Sequence, residues 1–319
     1  MMSYRSADEG SPLSVARRRR ATPWIGPLAA LTIIVGGCRL PDPPTITPAV
    51  PTVDAQARAT AAPDARAFTM KVSTSVIGPG FDRFAFIVTD DQGAAVEDAT
   101  VETIFYSQTA AGPHRNASGP ALYFGRGLPG GGRWVSYTDF DISGPWSIDV
   151  SVKMLDGTQG TASADFEVAG RTALLAANQV PPDGDTPTAS ADDLAAVTSD
   201  PNPLAALYAQ SFNDAVKTKK PIVVHFSSPG RCTDPVCRDA IVPVKSALAD
   251  WANDVVFIHV ESRDAADPGQ LSATAKAWGL SSDPWTFVFS RRGRLYARVD
   301  GAVSAEELGL MINQAGKAP

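Results

Sequence analysis

Cysteine, histidine and methionine are scarce in this chain of 319 residues, which has three cysteines, three histidines (His114, His225, His259) and five scattered methionines. No segment therefore reaches the density of a metal-binding tract. A basic excess is also missing, since 28 Lys and Arg face 34 Asp and Glu. That balance argues against nucleic acid and anionic lipid surfaces as partners and leaves cationic ones possible. The apolar stretch from Trp24 to Gly37, roughly 14 residues, is too short to span a bilayer comfortably. Helical periodicity is absent between residues 66 and 170, which excludes a helical bundle there.

The N-terminus has the parts of a secretory signal: a basic block Arg17 to Arg20, the apolar stretch, and small residues at its end. Val35-Gly36-Gly37-Cys38 resembles a bacterial lipobox. The resemblance implies a signal peptide over residues 1–37 and acylation of Cys38, with lipid holding the chain on an extracytoplasmic membrane face. An uncleaved anchor and an ordinary secretory signal are the alternatives. Processing removes five arginines and two acids, so 28 basic and 34 acidic residues become 23 and 32, a more acidic chain. Two cysteines then remain, and in an oxidising compartment a lone pair is a disulfide or a redox-active dithiol.

Composition divides residues 38–319 into about two domains with their linkers. Residues 38–65, rich in Pro and Ala, read as an extended tether. Residues 66–170 alternate apolar and polar positions in six or seven short runs, separated by turn signals such as Asp91-Gln92-Gly93 and Pro129-Gly130-Gly131-Gly132. That pattern predicts an all-β immunoglobulin-like sandwich. The stretch Gly132-Arg133-Trp134 through Trp146-Ser147-Ile148 resembles the closing hairpin of YtkA-like domains. His114-Arg115-Asn116 falls in a Gly/Pro stretch and reads as a solvated loop. Residues 171–202 read as a linker, broken by Val180-Pro181-Pro182.

Residues 203–319 alternate helical and strand patterns, which predicts one α/β domain. Five pieces in fixed order resemble the thioredoxin superfamily. Ser211-Phe212-Asn213-Asp214-Ala215-Val216 and Lys220-Pro221-Ile222-Val223-Val224-His225-Phe226 look like its opening helix and central strand. Trp278-Gly279-Leu280, Asp283-Pro284-Trp285-Thr286-Phe287 and Asp300-Gly301 look like its C-terminal half. The resemblance implies a thioredoxin-like fold and a cis Pro284 facing Cys232 and Cys237.

The cysteines depart from that family, with four residues between them instead of two. Residues five apart on a helix point about 140° away from each other, so Cys232 must precede the helix if the sulfurs are to meet. Asp234-Pro235 reads as an N-cap and first helical position for a helix running to about Trp251. An exchangeable redox pair, a static disulfide and a metal site all remain open. His225 falls where the family has a buried acid and could take the proton of the resolving thiol, or else be a satisfied core histidine. Arg231 and Arg238 flank the cysteines and favour thiolates, while Asp234 and Asp239 offset them.

The function expected is a membrane-tethered, extracytoplasmic thiol–disulfide oxidoreductase acting on protein thiols or disulfides of the cell envelope. Cys232 would attack, Cys237 would resolve, and Pro284 and His225 would assist; no cofactor or nucleic acid is expected. The alternatives are a Cu(I) metallochaperone of the same fold and a binding module with a structural disulfide.

Overall fold

Alternating side chains require a sheet with one face buried, and the first half of the molecule supplies one from its own strands. The computed structural model describes residues 66–181 and 185–318. Seven strands come first: β1 Thr69–Val72, β2 Gly80–Thr89, β3 Ala99–Thr109, β4 Gly112–Phe124, β5 Arg133–Phe140, β6 Gly144–Met154 and β7 Gln159–Val168. They form a single antiparallel sheet in the order β1-β2-β5-β4-β3-β6-β7. β4 holds its two halves together, pairing with β3 along most of its length and with β5 only over Leu122 to Phe124. A hydrogen bond from Arg66 N–H to the Gln159 carbonyl, 3.1 Å, brings the segment before β1 against β7. The sheet is therefore nearly closed on itself.

Aromatic rings fill its interior. Phe105 meets Phe84 and Phe140 edge to face at 5.2 and 5.8 Å, and Phe140 meets Trp146 in the same way at 5.2 Å. Such pairs add about 0.5–1.5 kcal/mol each beyond area burial. The Gly/Pro stretch expected as a loop is instead the body of β4, with His114 exposed and paired to Ser107. Pro113 and Pro120 are tolerated because this part of β4 pairs with β3 alone, so their missing N–H groups break no second ladder.

A second sheet follows, made of β8 Ile222–Ser227, β9 Val256–Glu261, β10 Trp285–Phe289 and β11 Leu295–Asp300 in the order β11-β10-β8-β9. Only β8 and β9 are parallel. Five helices accompany it: α1 Phe212–Lys217, α2 Pro235–Arg238, α3 Ile241–Trp251, α4 Ala273–Ala277 and α5 Ala305–Lys317. Every residue of β8 is buried. Ile222, Val224 and Phe226 pack with Phe212 and Trp278, whereas Val223 packs with Val244 of α3 and Met311 of α5. Ser211, Ser272 and Ser304 cap α1, α4 and α5, each hydroxyl accepting from the third amide of its helix.

The expected class, an immunoglobulin-like sandwich joined to an α/β thioredoxin-like fold, is corrected by this architecture. The first seven strands make one nearly closed sheet instead of two facing ones. In the second half the sheet is mixed, with a single parallel pair and helices of four to thirteen residues. Strand accounts for 37% of the structure and helix for 18%, so the molecule is mostly β. The single helix expected from Pro235 to Trp251 is also two helices. Pro243 has no N–H to offer the Asp239 carbonyl, and its ring crowds that turn, so the chain breaks at Asp239 and Ala240.

Ion pairs join the two sheets. Arg83 of β2 and Glu307 of α5 form a buried pair, and Tyr137 of β5 donates to the same carboxylate at 3.2 Å. Arg298 of β11 donates to Asp82 at 2.6 Å and to the Leu175 carbonyl at 2.8 Å. Within the segment expected as a linker, Leu174 and Leu175 are buried against Phe212 and Trp278. Gly279 permits that packing: at φ 76°, any Cβ there would meet the Ala173 carbonyl oxygen at 2.2 Å.

Candidate functional site

The two cysteines meet at the start of α2. Asp234 caps this helix, its carboxylate accepting from Val236 N–H at 2.8 Å, and Pro235 takes the first helical position. Cys232 lies before the helix and Cys237 inside it, and a disulfide joins them across a Cα separation of 6.0 Å. Cys237 is buried, at 4% exposure, while Cys232 is half-exposed. With only four residues, α2 adds less to the local field than the longer helix expected from the sequence.

Pro284 follows a cis peptide bond from Asp283, and Asp283 is the residue that reaches the sulfurs. Its Oδ2 lies 3.3 Å from Sγ of Cys237. The carboxylate is buried and heavily bonded: Arg263 grips it in a fork, Nη2 to Oδ1 at 2.6 Å and Nε to Oδ2 at 3.1 Å, and the Ser262 hydroxyl donates at 2.7 Å. Because Ser262 gives its proton to Asp283, the Ser228 hydroxyl 2.9 Å away must donate to Ser262. Ser228 in turn accepts from Arg263 N–H at 2.8 Å. The pairing with Asp283 also holds the Arg263 guanidinium above its usual pKa. Every donor in this chain points toward one carboxylate.

When the disulfide is reduced, Oδ2 is placed to accept a hydrogen bond from the Cys237 thiol. The flanking arginines are engaged elsewhere. Arg231 bonds the Arg263 carbonyl at 2.9 Å and pairs with Glu261 at 3.6 Å, and Arg238 is taken by Asp239 at 2.8 Å. The two sulfurs thus differ in setting, Cys232 half-exposed and Cys237 buried against the Asp283 carboxylate.

His225 is fully buried on β8, beside His259 on β9, with ring centroids 6.0 Å apart. Its Nδ1 is 2.9 Å from the Thr286 hydroxyl, and its Nε2 has no hydrogen-bond partner among the described residues. Burial, with a smaller effect of His259, pushes its pKa well below the ordinary 6.5. No hydrogen bond joins it to either sulfur among the described residues. His259 is fully engaged: Nε2–H donates toward the Ser227 carbonyl at 3.2 Å, and Nδ1 accepts from Tyr208 at 2.8 Å. Burial lowers its pKa to about 4. Both imidazoles are therefore neutral at physiological pH.

The structure brings together Cys232, Cys237 and the loop carrying Pro284, and ties His225 to the strand after that loop through Thr286. Asp283, Arg263 and Ser262 were not foreseen as site residues; the one sequence signal was the position of Asp283 directly before Pro284. Cys38, the signal segment and the tether lie outside the described residues. No described helix is long and apolar enough to cross a membrane, and no cluster of metal-binding side chains occurs among the described residues.

No family model matches this chain, and no curated protein is significantly similar to it. Among solved structures, a thiol:disulfide interchange protein of the thioredoxin family from Chlorobium tepidum is 18% identical over 41% of this chain and 94% of its own, with a TM-score of 0.29. The PmoD soluble domain from a Methylocystis species is 15% identical over 33% of this chain and 92% of its own, TM-score 0.21. A conjugative transposon lipoprotein from Bacteroides eggerthii is 10% identical over 32% of this chain and 97% of its own, TM-score 0.19. At such scores these likenesses carry no argument. What the chain itself shows is one cysteine pair at disulfide distance, an arrangement compatible with thiol–disulfide chemistry.

Proposed function

We propose that this protein is a thiol–disulfide oxidoreductase acting on protein cysteines, held by lipid on Cys38 at an extracytoplasmic membrane face. One observation carries the redox reading: a half-exposed Cys232 is bonded to a buried Cys237 whose sulfur touches the buried Asp283 carboxylate. In the reducing direction, the Cys232 thiolate attacks a partner disulfide, forming a mixed disulfide and expelling one partner thiolate. Cys237 then passes its proton to Asp283 as its sulfur attacks Cys232, and the second partner thiolate leaves. Two electrons move to the partner, whose thiolates take up the two protons, and the Cys232–Cys237 disulfide is restored. Microscopic reversal gives oxidation of a partner dithiol. The membrane attachment is supported by the lipobox-like setting of Cys38.

Trapping tests the reading directly. Cys237→Ser should accumulate mixed disulfides through Cys232, and Cys232→Ser should accumulate few, because the remaining thiol is buried. If neither variant captures a partner and the reduced protein instead binds one Cu(I) tightly, the oxidoreductase reading fails. Fatty-acid labelling of wild type and Cys38→Ser tests the anchor; equal labelling of both sinks it.

A further inference from the structure

The nearly closed sheet supplies a wall of a cavity beside α2. A cavity of about 130 Å³ lies between Val236, which precedes Cys237, and Gly301, whose N–H donates to the Pro284 carbonyl at 3.0 Å. Its remaining side is the turn between β4 and β5, with Pro129, Gly131 and Arg133. It has room for water or one small polar group. The turn is pressed onto α2: a Cβ on Gly130 would stand 3.0 Å from Cγ2 of Val236.

Arg133 brings a charge with no ion-pair partner among the described residues. Its Nη1 donates to the carbonyls of Gly130, Gly131 and Gly132 at 2.8, 2.9 and 2.8 Å, which shapes the turn and occupies one nitrogen. No carboxylate pairs with it among the described residues. The second cation of the cavity, Arg83, is already matched by Glu307. Asp300 also lines the cavity, where its carboxylate accepts from Ser75 N–H at 2.9 Å. Burial first, and then the Arg83 charge, lower the pKa of the Arg133 guanidinium, a penalty that an arriving anion would relieve.

We propose that Arg133 is a specificity-determining residue that receives the carboxylate of an acidic residue flanking the cysteine of an incoming protein chain. The proposal rests on the thiol–disulfide reading. It commits to a polypeptide because the cavity lies between the residue before Cys237 and the loop bonded to Pro284. A chain whose sulfur is joined to Cys232 would bring its neighbouring residues toward this space.

Two peptide pairs test it with the full chain. The first pair carries one cysteine flanked by Glu or by Gln, and the rate at which each reduces the Cys232–Cys237 disulfide is measured. The wild type should prefer Glu about fivefold, the size expected of one partly screened charge pair, and the preference should shrink with added salt. In Arg133→Met the ratio should fall to about one, and in Arg133→Glu it should invert. The second pair has serine in place of cysteine, and its binding is measured by titration calorimetry. Equal rates for Glu and Gln in the wild type, or a ratio unchanged in Arg133→Met, overturn the proposal. If no peptide reduces the disulfide yet the serine peptides still show a Glu preference that Arg133→Met removes, the cavity assignment stands and the exchange reading falls. No exchange together with no binding preference overturns both.

Discussion

Asp283 places its carboxylate 3.3 Å from the sulfur of Cys237 across 46 residues of sequence. Replacing it with Asn keeps the shape and removes the charge beside that sulfur. Asp283→Asn should therefore slow the resolving step, because the Cys237 proton loses its acceptor. General-base assistance contributes roughly 10²–10⁴-fold, so mixed disulfides on Cys232 should persist at least about 100-fold longer. Quenched-flow capture of the mixed disulfide measures this, and an unchanged lifetime contradicts the role.

Reduction of Cys232–Cys237 should cost little stability. The loop it closes has a sequence separation of only 5, for which loop-closure entropy gives about 2 kcal/mol. Urea unfolding of oxidised and reduced protein should differ by that amount and stay cooperative in both. Loss of the folded state on reduction would mark the bridge as structural.

Arg83 and Glu307 tie β2 to α5 in a buried pair. Removing one partner leaves a buried charge, so Glu307→Gln should destabilise by about 3–5 kcal/mol. The double variant Arg83→Met with Glu307→Leu should recover most of that loss, because both charges leave together. Chemical denaturation of the three proteins checks both statements.

The histidine layer makes stability depend on pH. His259 has a folded pKa of about 4 against the ordinary 6.5, because burial disfavours its charged form. Between those values the unfolded chain binds a proton that the folded chain does not. Stability is therefore full above pH 6.5 and falls toward pH 4, by roughly 3 kcal/mol from this residue. Buried His225 acts in the same direction. Asp200 favours the charged form of His259 and Lys245 opposes it. Denaturation curves at pH 7.5, 6, 5 and 4 should show the decline, and His259→Asn should flatten it.

Much of this molecule was legible in its sequence where the physics is local. Alternation placed six of the first seven strands, Asp234-Pro235 marked the start of α2, and the Cys232–Cys237 spacing required one cysteine to precede its helix. β4 was hidden because Gly112, Pro113, Gly119 and Pro120 signal turns unless the strand has one unpaired edge, and that depends on its neighbours. Alternation also says which side chains point inward but not which strands pair, so a nearly closed sheet reads the same as a sandwich. Strand direction is equally silent, so the two antiparallel pairings in the second sheet gave no warning. Asp283 escaped notice because its role depends on a fold that brings it to Cys237.

Near-closure of the first sheet also matters between molecules. An open sheet of seven strands would present two rows of unpaired backbone groups, each a template on which another chain can add a strand. Here the segment before β1 is hydrogen-bonded to the start of β7, and β1 itself has only four residues. Little edge remains to recruit a neighbour. The largest β-structure of the molecule thus resists edge-to-edge aggregation without help from a partner.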